Sequence, residues 1–187
     1  MNKKLVVGGV LLLLVIGGGG FFVWQNGKDV RELNRNLPMG VSVTKSLFGN
    51  AYKVVNKIDR YEFEVPERWH GVNEIAYIPE NTDGEYTVTT TELEGKEGAS
   101  RIVTVNRFKS GEPNIDLKSW AKTNFDTYGL EGEFTKDNVG ILEVVKTQES
   151  VHLLGMYVYF FQKDFTVYAI ANGSEAFIRE IITHGEW

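Results

Sequence analysis

Ser119-Trp120-Ala121-Lys122 has the Ser-x-x-Lys spacing, which sets a serine hydroxyl one helical turn from a lysine amine. That pairing serves acyl transfer only beside two further elements, Ser-Asp-Asn and Lys-Thr-Gly, which activate the serine and hold the substrate. Neither triplet occurs, and Lys146-Thr147-Gln148 lacks the glycine, so the tetrad reads as two exposed residues on an amphipathic helix. The chain has three histidines, His70, His152 and His184. Three would suffice for zinc with an open fourth position, but their spacing matches no ligand pattern. His184 suits the negative end of a helix dipole, and His152 an apolar strand face. No metal and no cofactor is therefore expected.

Asn81-Thr82-Asp83-Gly84-Glu85 looks like part of a calcium loop, yet its register puts Pro79 and Thr90 where Asp and Glu are required. It reads as a turn. Asn172-Gly173-Ser174 is a formal glycosylation sequon whose glycine and serine are equally explained by a turn and a helix cap. The many carboxylates form no pair that spacing alone would assign to glycoside hydrolysis. No phosphate-cradling glycine loop occurs beyond the first 24 residues. No catalytic residue is assigned. Trp69-His70-Gly71-Val72-Asn73 follows a strand end. A tryptophan there is either a lid on the core or the wall of a partner-binding groove, and this is the candidate partner loop.

The elements that would position these residues follow from periodicity. Strands are expected over 52–58, 61–65, 74–78, 86–93 and 101–108. Tyr61, Phe63 and Val65 alternate with Glu62 and Glu64, and Pro66 stops that strand. Asp116 can cap a helix whose Leu117, Trp120, Ala121 and Tyr128 share a face, with Phe125 at its edge, ended by Gly129. Strands over 139–149, 151–162 and 165–171 come next, the middle one apolar on both faces and so covered on both. Ser174 then caps a last helix burying Phe177, Ile178, Ile181 and Ile182, with Glu175 near its positive end. The expected fold is α+β, an α/β/α sandwich with a mostly antiparallel sheet flanked by helices.

One transmembrane helix is expected ahead of it. Leu5 to Trp24 carries no charge, includes Leu14, and ends in Phe21, Phe22 and Trp24, which suit a headgroup boundary. At about 1.5 Å per residue it spans roughly 30 Å, the thickness of a bilayer's hydrocarbon core. No alanine precedes Ala51, which argues against signal cleavage, although Gly17 to Gly20 are small. The division is thus a membrane anchor over 1–24, a polar linker over 25–50 with Gly27, Asn34, Asn36, Pro38, Gly40 and Gly49 and a short helical turn around Val30 to Leu33, and one domain over 51–187. Lys3 and Lys4 ahead of the apolar run favour an N-terminus inside, which puts the domain outside the cytoplasm on a single-pass membrane protein.

The whole chain has 25 acidic against 20 basic residues, net −5, and no cysteine. Nucleic acid and anionic lipid surfaces both need clustered cations, so nucleic-acid binding is not expected. Lipid contact is expected through the N-terminal helix alone.

Tyr61-Glu62-Phe63-Glu64-Val65-Pro66-Glu67-Arg68-Trp69, the mid-domain helix with Trp120, and the closing strands and helix through Gly173-Ser174-Glu175 together resemble the PsbP-like family, whose fold the Mog proteins share. The resemblance spans roughly 52–187 and is one of packing. It implies an α/β/α sandwich in a non-catalytic accessory or binding role, and no ion-contacting residue of the family maps onto this chain. The expected function is a membrane-anchored, extracytoplasmic domain that binds or assists another envelope protein. The rival class is a hydrolase acting on envelope peptide or polymer, and a structural tether is a third.

Overall fold

The computed structural model describes residues 27–46, 51–66, 69, 71–79, 86–94, 100–127, 132–148 and 155–187. Helix α1 covers 27–34 and leads into β1 (Val41–Lys45), β2 (Tyr52–Asn56) and β3 (Tyr61–Val65). These three strands form an antiparallel sheet of their own. Then follow β4 (Gly71–Ile78), β5 (Tyr86–Glu94), β6 (Ser100–Lys109), α2 (Leu117–Thr127), β7 (Phe134–Val139), β8 (Leu142–Thr147), β9 (Tyr157–Lys163), β10 (Thr166–Asn172) and α3 (Glu175–His184). The last seven strands make a second antiparallel sheet in the order β4-β5-β6-β10-β9-β8-β7.

Alternation sorts the large sheet's side chains into two cores. Phe108, Val145, Phe160, Val167 and Ala169 meet Leu117, Ala121 and Phe125 of α2 on one face. On the other, Val105, Phe161 and Ile170 meet Val43, Val54 and Phe63 of the small sheet and Phe177, Ile178, Ile181 and Ile182 of α3. β9 is buried on both faces, as its double apolar pattern predicts.

The expected architecture, one sheet with a helix on each side, is corrected by this arrangement. Among the described residues there are two sheets and three helices, and one face of the large sheet is covered jointly by α3 and the small sheet. The small sheet stays separate because both its edges are sealed. On the β1 edge Asn34 does the work of a neighbouring strand: Val43 N donates to its Oδ1 at 2.7 Å, and its Nδ2 donates to Val43 O at 2.8 Å. On the β3 edge Glu62 and Glu186 exchange backbone hydrogen bonds of 2.9 and 2.8 Å. Sealing of this kind prevents edge-to-edge pairing.

β1 itself lies inside the segment expected to be a linker, 25–50. Its Val41 and Val43 are buried, and Val30, Leu33 and Leu37 pack on the same core. The expected strand over 139–149 is β8 alone, because Gly140, at φ +60°, turns the chain out of β7, whose Phe134 to Asn138 lie ahead of the expected range. Both helix caps are as expected. The Asp116 carboxylate accepts from the Ser119 backbone N–H and, at Oδ2, from its hydroxyl at 2.6 Å, and the Ser174 side chain accepts from Phe177 N at 3.4 Å. The anchor residues Leu5, Leu14, Phe21, Phe22 and Trp24 lie outside the described residues, as do Tyr128 and Gly129. Among the described residues no helix is long and apolar enough to cross a membrane.

Candidate binding cleft

The β2–β3 turn is built from the inside outward. Asn56 is fully buried and holds the turn by donating from Nδ2 to Asp59 Oδ2 at 2.8 Å and to Thr89 Oγ1 at 3.1 Å. Asp59 N donates back to Asn56 Oδ1 at 2.9 Å, and the Tyr168 hydroxyl donates to the Asp59 carbonyl at 2.8 Å. So pinned, the chain turns at Arg60 with φ +61°, a left-handed conformation in which arginine is uncommon. Arg60 is exposed there, and Ile58 beside it is 45% exposed.

Below this turn the large sheet outruns its cover. On the face that packs against the small sheet, Tyr168 is paired with Arg107, and Thr166 lies between Lys109 on one side and Lys163 on the other. A cavity of about 580 Å³ opens between turn and sheet, lined by Ile58, Asp59, Arg60, Arg107, Lys109, Gly111, Lys163, Asp164, Phe165, Thr166, Tyr168 and Trp187. Four cations thus face two carboxylates on a chain of net charge −5. Phe165, in the β9–β10 turn, is 58% exposed. Trp187 forms the aromatic floor with Tyr168, ring centroids 5.4 Å apart. Burial pushes the Tyr168 hydroxyl above its ordinary range. Arg107 and Arg60 pull it down, Asp59 and Asp164 push it up, and burial prevails.

A second cavity, of about 410 Å³, lies at the other end of the small sheet. Asp29, Glu32 and Leu33 of α1 face Gly71, Val72, Asn73, Glu74 and Ile75 of β4 across it. The candidate partner loop is divided here. Gly71 and Val72 are buried, Asn73 is exposed on this acidic rim, and His70 lies outside the described residues. Trp69 is half-buried, packs on the core, and meets Phe177 edge-on at 5.7 Å.

The remaining sequence candidates are dispersed. Ser119 and Lys122 are exposed on α2, the serine hydroxyl engaged in the Asp116 cap. His184 ends α3 and is exposed, while His152 and the 81–85 turn lie outside the described residues. Asn172 of the sequon is fully buried, its Nδ2 donating to Ile102 O at 2.8 Å, so a glycan has no access to it. Among the described residues no group of three His, Asp or Glu is placed to hold a metal ion.

Arg60, Arg107, Lys109 and Lys163 went unnoticed in the sequence because each reads as a solvated strand-end charge. The one local signal was the repeated pattern of basic and aromatic residues at strand ends, Arg107-Phe108-Lys109 and Lys163-Asp164-Phe165. Sheet register alone brings them together. No family model, curated protein or solved structure matches the chain, so the PsbP-like resemblance carries no identification.

Proposed function

We propose that the chain is a non-catalytic binding module, held to a membrane by residues 1–24, with its folded part outside the cytoplasm. It presents the cleft between the β2–β3 and β9–β10 turns to another envelope protein. The observation that carries the reading is the gathering of Arg60, Arg107, Lys109 and Lys163 in one concavity of an acidic chain. Charge concentrated in a concave site steers and holds an oppositely charged partner.

The direction of the cleft supports the same reading. α1, the first described element after the apolar run, meets β4 and Tyr52, where β2 begins. The cleft lies past the other end of β2, roughly 15 Å away at about 3.3 Å per residue. An anchor preceding α1 leaves the cleft turned from the bilayer, toward a partner. Of the groups a hydrolase could use in this cleft, Asp59 accepts the Asn56 amide and the Tyr168 hydroxyl donates to backbone, which leaves the exposed Asp164 as the lining carboxylate open to that role.

The test is a photo-crosslinking residue placed in living cells at Phe165 and, as a control, at Ile141, which is fully exposed on the β7–β8 turn. The expected result is one discrete protein adduct from position 165 and none from 141. Equal labelling from both positions would remove the cleft from consideration. Turnover of peptide, ester or glycan reporters by the purified chain would favour the hydrolase instead.

A further inference from the structure

We infer that the segment the cleft takes from its partner is an acidic peptide carrying a large apolar side chain. The inference rests on the reading of the cleft as a protein-binding surface and adds the chemistry of what enters it.

Neighbouring strands lie about 4.8 Å apart, so Lys109 and Lys163, flanking Thr166, stand roughly 10 Å from each other on one sheet face. Arg60 approaches from the opposing turn, its position set by the Asn56–Asp59 bonds beneath it. Arg60 and Lys163 face one concavity, and an anion seated between them is attracted by both. The Asp59 carboxylate is buried against Asn56, and Asp164, exposed beside Lys163, supplies one negative charge against these two cations. Arg60 and Lys163, both exposed, are the cations on which the inference stands. Carboxylates are natural partners for such groups, Arg60 offering the paired donors that a carboxylate takes.

Exposed apolar side chains distinguish a peptide from a simple anion as the occupant. Ile58 and Phe165, 45% and 58% exposed, rim the cations, and Tyr168 and Trp187 floor the cavity. A bare phosphate makes no use of those surfaces. A segment that mixes acidic and apolar side chains uses both. The volume, about 580 Å³, suits a few side chains rather than a folded surface. The acidic remainder of the chain disfavours anionic peptides elsewhere, so recognition concentrates at this end.

The test uses the full chain in detergent micelles with three probes: a fluorescent peptide alternating Glu and Leu, its Gln and Leu counterpart, and inorganic phosphate as competitor. The Glu peptide should bind at least about tenfold tighter than the Gln peptide, and more weakly as salt rises from about 50 to about 300 mM. Lys163→Glu with Arg60→Glu should weaken it at least about tenfold, and Phe165→Ser severalfold. Because charge reversal at a pinned turn risks the fold, Arg60→Gly with Lys163→Gln is the companion variant. It should melt like the parent and still lose the Glu peptide.

Equal affinity for both peptides, full competition by millimolar phosphate, or self-association of the chain through the cleft would each overturn the inference. The crosslink at position 165 tests protein binding separately. An adduct there with no preference for the Glu peptide defeats the acidic ligand and leaves the module, while loss of the adduct defeats both.

Discussion

Trp187 shows how much of this protein rests on single side chains. Its indole stacks on Tyr61 at 5.4 Å and meets Phe161 and Tyr168 at 5.1 and 5.4 Å, while Nε1 donates to Ile182 O. It therefore ties β3, β9, β10 and α3 together and floors the cleft as well. Trp187→Ala should cost about 3–5 kcal/mol, read as a fall in the denaturant midpoint at unchanged slope. Trp69→Ala should cost less, because half-burial against Phe177 leaves a smaller cavity. If Trp69→Ala were the more damaging of the two, the aromatic cluster at Trp187 would not be the centre of the core. The sequence marked Trp69 by its place after a strand end, but Trp187 gave no such signal. Its partners come from strands whose neighbours only the folded sheet defines.

Among the elements, α3 is held by charge as well as by its apolar face. Lys146 of β8 donates to Glu175 Oε2 at 2.6 Å, and the Tyr159 hydroxyl reaches the same oxygen at 2.6 Å. Arg179 pairs with Asp137 of β7 at 2.8 Å and donates to Asn138 O at 2.9 Å. Burial pushes the Glu175 carboxyl up, but Lys146 and Tyr159 outweigh it and hold it below its ordinary value. The Asn138 N–H, ahead of Arg179, does the same for Asp137. Carboxyls depressed in the folded state add stability that is full above their unfolded values, near pH 4, and fades as pH falls through the lower folded ones. The melting temperature should thus hold from pH 7 to about pH 5 and drop below about pH 4. Asp137→Asn with Glu175→Gln should lower it at neutral pH and flatten the acid slope. An unchanged acid slope in that variant would take the pH response away from α3. Alternation made β3 legible and both faces of β9 apolar. β7 escaped because only Phe134 and Val139 of its six residues are buried.

For the molecule as a whole, the second sheet decides where the folding unit begins. The Gly, Asn and Pro content of 25–50 reads as a linker, and five residues of β1 were too few to outweigh it. Yet β1 buries Val41 and Val43, each worth about 1.5–3 kcal/mol on burial, and covers the edge of β2. A chain starting at Gly27 should be soluble and unfold cooperatively, whereas one starting at Asn50 should melt much lower or aggregate. Equal melting of the two would return β1 to the status of a linker. The same small sheet carries the turn in which Arg60 sits at φ +61°. A left-handed non-glycine residue costs on the order of 1 kcal/mol, and glycine removes that strain while adding a similar backbone entropy to the unfolded chain. Arg60→Gly should consequently melt at or slightly above the parent while capturing less of its partner. A screen that rewards heat resistance alone would accept that change without registering the loss. At this one codon, selection for durability and selection for recognition pull in opposite directions.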